Sequence, residues 1–163
     1  MEELFAPPEL EWRRLSPGYR TLLRVSTLIW VPAVSVVAGV VIGLLTDEWW
    51  IPAAIWVAGL VLLATRWAIA DRRWRSWGYV EREDDLYITH GVLFRSLVAV
   101  PYGRMQLVEV GTGPLQRALG LATVTLVTAA AATDASIPGL TPAEATRLRD
   151  RLTELGEARS SGL

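Results

Sequence analysis

Residues 25–45 read VSTLIWVPAVSVVAGVVIGLL and residues 49–65 read WWIPAAIWVAGLVLLAT, and neither stretch contains a charged residue. As a helix, the first run of 21 residues is about 31 Å long, which matches a hydrocarbon core of roughly 30 Å. The second run of 17 residues reaches full length if Arg66 extends its side chain to the headgroups and residues 67–70 complete the helix. Because only three residues separate the runs, the sequence predicts an antiparallel pair of transmembrane helices.

The residue inventory excludes several classes of chemistry. The 163-residue chain has no cysteine and one histidine, so disulfides, thiolate zinc sites and multi-histidine metal sites cannot form within one chain. It has no lysine, which a P-loop and a Schiff base both require. Its net charge of −1 gives no electrostatic signature of nucleic-acid binding. We therefore expect no metal, no cofactor and no nucleic-acid partner.

Arginine is distributed unevenly around the two apolar runs. The turn between them has none, whereas their outer flanks carry Arg13, Arg14, Arg20, Arg24, Arg66, Arg72, Arg73 and Arg75. Cytoplasmic loops are enriched in Lys and Arg, so we expect both termini in the cytoplasm. The first apolar run begins late and a second follows at once, which is unlike a cleaved signal peptide.

After residue 77 the pattern changes to short β-rich runs separated by glycine, proline and acidic residues. Alternation of apolar and polar side chains predicts an opening β-hairpin, followed by further strands. The predicted strands are residues 79–83, 86–90, 93–100, 105–110 and 122–128. Regular short strands of this kind indicate a small antiparallel sandwich or barrel.

An amphipathic helix is the last predicted element. Thr141 and Glu144 have the spacing of a capping box with Pro142 at the first helical position, and Gly156 is a candidate C-terminal stop. Its apolar face consists of Ala145, Leu148, Leu152 and Leu155. The predicted organisation is an N-terminal arm (1–24), a two-helix hairpin with an interfacial extension (25–77), a folded domain (78–156) and a tail (157–163).

Arginine and tryptophan are concentrated where the second helix meets the predicted membrane surface. The members of this cluster are Arg66, Trp67, Arg72, Arg73, Trp74, Arg75 and Trp77. The cluster can bind anionic lipid headgroups, at about 1 kcal/mol per arginine near the surface. Cytoplasmic arginines and interfacial tryptophans also set the topology of any transmembrane helix, and that explanation is sufficient by itself.

Small residues recur at every fourth position of the first apolar run, at Ser35, Gly39 and Gly43. Such a row lets a second helix approach closely. The partner is either a second copy of the chain or Ala54 and Ala58 on the other helix of the same hairpin. Tethering raises the effective concentration of the intramolecular partner, so packing within the hairpin is favoured.

Four acidic residues lie together on the predicted hairpin: Glu81, Glu83, Asp84 and Asp85. They lack the spacing of an EF-hand loop. Glu81 and Glu83 share one strand face simply because side chains alternate along a strand. We interpret all four as solvated side chains rather than a calcium site or an acid–base pair.

The order of these features resembles a bacterial family of PH-like domains found next to membrane helices. The resemblance rests on the opening hairpin, the terminal helix and three segments: RLSP (14–17), VPYGRMQLV (100–108) and GPLQRALGL (113–121). It implies a membrane α-helical hairpin plus an α+β PH-like domain, in which two packed antiparallel sheets are capped by a C-terminal helix. Arg104 in the second segment is a candidate interaction residue, although a structural ion pair would explain it equally well.

The resemblance implies no known reaction. Lipid-binding PH domains use basic residues around their first hairpin, whereas the hairpin here is acidic, so headgroup binding at that position is disfavoured. We expect a non-enzymatic, multi-pass protein of the bacterial inner membrane, whose cytoplasmic PH-like domain is a scaffold for a protein partner or for further copies of itself. The alternative is a sensor of anionic lipid, or a stress-response accessory protein, that uses Arg72, Arg73 and Arg75.

Overall fold

The computed structural model describes residues 11–128 and 134–160. Residues 1–10 of the predicted arm and 161–163 of the predicted tail lie outside the described residues.

Two long apolar helices form an antiparallel pair at the N-terminal side, as predicted: α1 (Gly18–Leu45) and α2 (Trp50–Arg75). Both extend beyond the uncharged runs at their outer ends. α1 begins at Gly18, whose N–H donates to the Ser16 Oγ at 3.2 Å, and it ends where Thr46 becomes extended. Large apolar side chains such as Trp30 and Leu44 are exposed along the pair, as expected of helices that face lipid.

Two three-stranded antiparallel sheets follow. The first contains β1 (Gly78–Glu81), β2 (Asp85–His90) and β3 (Ser96–Pro101), and the second contains β4 (Met105–Gly111), β5 (Ala122–Thr128) and β6 (Ala135–Leu140), each in sequential order. The opening hairpin and the strands near residues 105 and 122 are confirmed. The predicted strand at 93–100 is corrected to begin at Ser96, because residues 91–95 form the turn between β2 and β3.

Three elements were absent from the sequence prediction: β6, a short helix α3 (Pro114–Ala118) and a 3-10 turn at Tyr102–Arg104. β6 contains Pro138 and Gly139, which disfavour a strand. Gly139 has φ +69° and lies against the Tyr19 ring, so a side chain would fit neither the backbone nor the space.

The C-terminal helix α4 (Pro142–Ser160) packs across the second sheet. Its predicted start is confirmed, since the Glu144 N–H donates to the Thr141 Oγ1 at 3.3 Å. Ala145, Leu148 and Leu152 are fully buried. The predicted stop at Gly156 is wrong: the helix continues to Ser160, and residues 157–160 are helical rather than a frayed tail.

The base of α1 is part of the same core as the sheets. Leu15 and Tyr19 are buried among the strand residues, and the Arg13 backbone exchanges both hydrogen bonds with Tyr79 on β1, at 2.9 and 3.0 Å. The Trp74 Nε1 donates to the Leu15 carbonyl at 3.1 Å. These contacts hold one end of the domain against the helix pair, and we call it the proximal end.

The opposite, distal end contains the β1–β2 turn and the last residues of α4. Arg159 near the end of α4 contacts Asp84 and the Glu83 carbonyl in that turn. Buried Tyr102 completes this end: its hydroxyl donates to the Arg82 carbonyl at 3.0 Å, and burial raises its pKa to about 12.

Candidate functional site

Trp74 and Trp77 lie between the helix pair and the domain, not free at a membrane surface. The Trp77 ring stacks on His90 at 4.8 Å and meets Tyr19 edge to face at 6.3 Å. The Arg20 guanidinium lies 5.8 Å from the centre of the Trp74 ring. Of the tryptophans in the predicted interfacial cluster, these two therefore fix the domain on the helices.

Asp71 on α2 binds two arginines in the first turns of α1, and sequence reasoning missed it. Its two carboxylate oxygens accept from Arg20 at 3.4 Å and from Arg24 at 3.3 Å. Arg24 also lies over Trp67, at 5.0 Å from the ring centre. The sequence does single out this residue, because Asp71 is the one acidic residue between positions 49 and 77.

The four arginines of the predicted cluster all lie on α2 and differ from Arg20 and Arg24. Arg66, Arg72, Arg73 and Arg75 are exposed, and none forms an ion pair with any residue that the structure describes. Three of them, Arg66, Arg72 and Arg73, line a cleft of about 420 Å³ between α2 and the β2–β3 turn. We call this the proximal cleft.

The small residues of α1 face α2 within the same chain. A side chain at Gly39 would collide with Trp56, and one at Gly43 would approach Pro52 at 3.2 Å. Ser35 lies against Gly59. The predicted partners on α2 are corrected: Ala54 and Ala58 are exposed on the outer side of the pair.

A network of charged side chains joins β1, α4 and the N-terminal segment. Arg147 binds the Glu81 carboxylate at 2.6 and 3.2 Å and the Glu144 carboxylate at 2.8 and 3.1 Å. The Glu144 Oε1 also accepts from the Tyr79 hydroxyl at 2.6 Å and from Arg13 at 3.2 Å. We call these five residues the ion network.

Three members of the ion network, Glu144, Arg147 and Tyr79, have shifted pKa values. Hydrogen bonds from Arg147 lower the pKa of Glu144 from 4.5 to about 2, and the hydrogen bonds that Arg147 donates to both carboxylates raise its own pKa. Burial raises the pKa of Tyr79. Glu81, paired with Arg147, is not the solvated hairpin residue that we predicted, and Asp85 is half-buried at the start of β2. Glu83 and Asp84 are exposed, as predicted.

A groove of about 470 Å³ lies at the distal end between β4 and α4. Its apolar lining comes from Met105, Leu107 and Val108 on the strand and Leu152 on the helix. β4 pairs with β5 on one side, and no described strand pairs with its other edge. Arg104, next to this distal groove, is exposed and has no ion pair within the described parts of the chain.

The helix pair, the two sheets and the capping helix together define a membrane protein with a PH-like domain. The bacterial PH domain family matches residues 26–156, and the chain belongs to that family. It is also similar to the UPF0699 transmembrane protein YdbS of Bacillus subtilis (strain 168), with 38% identity over 102 residues. That match covers 63% of this chain and 62% of YdbS, so it spans less than two thirds of the relative. No solved structure matches significantly.

Proposed function

We propose that this protein is a non-catalytic scaffold of the bacterial inner membrane, whose PH-like domain binds a protein partner in the distal groove. The hairpin crosses the membrane twice, with both termini and the domain in the cytoplasm. The arginine distribution supports this orientation, because all eight flanking cations lie outside the turn at residues 46–49. The two long apolar helices and the similarity to a transmembrane protein support the membrane location.

The observation that carries the proposed partner site is the free edge of β4 beside α4. An extended peptide can add to such an edge through main-chain hydrogen bonds while its alternate side chains enter the adjoining groove. Edge strands are commonly guarded by charge, proline or a bulge, and β4 has an irregular register at Gln106 and one charged residue, Glu109. Between them Leu107 is 55% exposed and offers an apolar contact. We therefore expect the partner to supply an extended segment with apolar side chains at alternate positions.

We propose no catalysis because the titratable residues of the ion network lack the properties of a general acid or base. A general acid or base needs a pKa near the working pH. In the ion network the pKa of Glu144 is lowered and that of Tyr79 is raised, so each keeps its ordinary charge at pH 7. Every polar group there already has a partner, which is typical of a structural network.

A site-specific photo-crosslinker tests the partner site in the full-length chain in bacterial cells. Placed at Gln106 on β4, it should give a discrete product with another protein, and Leu107→Asp in the same chain should remove that product. The matched control position is Arg149, which is exposed on α4 outside the groove lining. Equal products from both positions, or a product that survives Leu107→Asp, would contradict the proposed site. A crosslink between two copies of the chain would show that the groove binds a second copy instead of another protein.

The second candidate function is a response to anionic lipid through Arg72, Arg73 and Arg75. It is favoured by the contrast between these exposed arginines and Arg20, which is paired with Asp71. Exchange of all three for glutamine should weaken binding of the reconstituted protein to anionic lipid without changing its topology. Unchanged lipid binding would remove this candidate.

A further inference from the structure

The turn between β2 and β3 exposes two large apolar side chains. Leu93 and Phe94 are each 90% exposed, more than any other large apolar residue described in the structure. Gly91 has φ +108°, and a side chain there would collide with the Phe94 carbonyl, so the backbone shape of this turn depends on glycine. Solvent exposure of both side chains is unfavourable, which indicates that something apolar covers them.

The position of the turn indicates which environment covers these two side chains. Val92, Leu93 and Phe94 line the proximal cleft together with Arg66 on α2 and Thr27 on α1. Arg66 directly follows the last residue of the second uncharged run, so it lies at the boundary between hydrocarbon and headgroups. The exposed side chains therefore lie beside the part of α2 that we expect at the boundary between hydrocarbon and headgroups.

The charged side chains that line the proximal cleft are basic. Arg66, Arg72 and Arg73 line it, and among the described residues no acidic side chain does. Asp71, the nearby acid, faces Arg20 and Arg24 instead. Arginine guanidinium groups bind phosphate through paired hydrogen bonds, and their attraction to an anionic surface is strongest within a Debye length of it.

We propose that the proximal cleft binds an anionic phospholipid of the bilayer that holds the hairpin. Leu93 and Phe94 insert among the acyl chains, and Arg66, Arg72 and Arg73 bind the headgroup phosphate. The inference deepens the second candidate function and rests on it for the role of Arg72 and Arg73. To that function the inference adds Leu93 and Phe94, which we call the apolar wedge, and Arg66 on α2. It is independent of the distal groove.

Insertion of the turn is tested with a single cysteine, which is simple because the chain has none. The full-length Phe94→Cys variant carries an environment-sensitive fluorophore in vesicles of phosphatidylcholine and phosphatidylglycerol whose acyl chains are brominated near the glycerol. The label at position 94 should be blue-shifted and quenched, whereas the same label on Gln106→Cys, at the distal end, should be neither. Equal quenching at both positions, or none at position 94, overturns the proposal.

Headgroup binding is tested by the lipids that remain bound in native mass spectrometry of the detergent-solubilised protein. An arginine near an anionic surface contributes a factor of about five, so exchange of Arg66, Arg72 and Arg73 for glutamine should weaken phosphatidylglycerol retention by about a hundredfold. The control is Arg104→Gln together with Arg149→Gln, which should retain the lipid. Unchanged retention in the triple variant overturns the proposal.

The two tests separate the inference from the functions proposed above. If the triple variant loses lipid but the label at position 94 is not quenched, the wedge is refuted and the arginine-based response to lipid stands. A label that becomes shielded only in native membranes, and not in pure lipid vesicles, identifies a protein as the occupant and overturns the proposal. Neither result bears on crosslinking at Gln106.

Discussion

Exchange of Glu144 for glutamine should destabilise the domain by about 2 kcal/mol at pH 7. Glutamine keeps the size of the side chain and one oxygen for the Tyr79 hydroxyl, but it removes the charge and places an N–H group opposite the Arg147 Nε. Loss of a hydrogen bond to a charged partner costs about 1.5–3 kcal/mol. Because the Glu144 side chain is 31% exposed, solvent screening keeps the loss near the middle of that range.

The same carboxylate predicts how stability depends on pH. Its pKa is about 2 in the folded protein and 4.5 in the unfolded chain, so its stabilisation is fully present above pH 4.5 and is lost as the pH falls toward 2. The shift corresponds to about 3 kcal/mol before screening, in agreement with about 2 kcal/mol after it. Glu144→Gln should therefore be less stable than wild type at pH 7 and nearly equal to it at pH 2.

Urea unfolding of the full-length protein in detergent micelles, followed by near-ultraviolet circular dichroism at several pH values, measures both effects. The matched control is Glu154→Gln on the same helix, where the carboxylate is 71% exposed and pairs with Arg151 at 3.2 Å. That variant should lose less than about 0.5 kcal/mol. A loss at Glu144 no larger than at Glu154, or an unchanged difference from wild type between pH 7 and pH 2, would refute the reasoning.

Three further variants test other contacts. Gly39→Leu should force α1 and α2 apart at Trp56 and cost about 1–3 kcal/mol in thermal unfolding, whereas an equal loss for the exposed control Val40→Leu would contradict that packing. Asp71→Asn should cost about 1 kcal/mol by removing two partly exposed ion pairs, and Asp71→Glu should restore most of the loss if charge is the cause. Leu107→Asp should change stability by less than about 0.5 kcal/mol while it abolishes partner binding; a large loss of stability would place Leu107 in the core instead.

Elements with a strong periodic pattern could be predicted from the sequence. The two uncharged runs gave the hairpin, the alternation at residues 79–90 gave β1 and β2, and the capping box at Thr141 gave the start of α4. In each case the local pattern and the tertiary contacts favour the same structure. The family resemblance added the two-sheet arrangement, which the strand pattern left open between a sandwich and a barrel.

The missed features depend on contacts between distant parts of the chain. β6 forms despite Pro138 because pairing with β5 and burial of Ile137 outweigh its poor local propensity. The ion network joins Glu81 to Arg147, which are 66 positions apart, and no spacing rule connects them. The partners of the α1 glycines were predicted by residue size, but the rotation of α2 brings Trp56 rather than Ala54 to the contact.

The central claim is that a two-pass hairpin holds the PH-like domain on the cytoplasmic face of the membrane. It is tested most directly by single-cysteine labelling in intact cells with a thiol reagent that does not cross the inner membrane, at Asp47→Cys in the turn and Gln106→Cys in the domain. The account predicts that position 47 is labelled from outside and that position 106 is labelled only after the membrane is permeabilised. Labelling of position 106 in intact cells would contradict it.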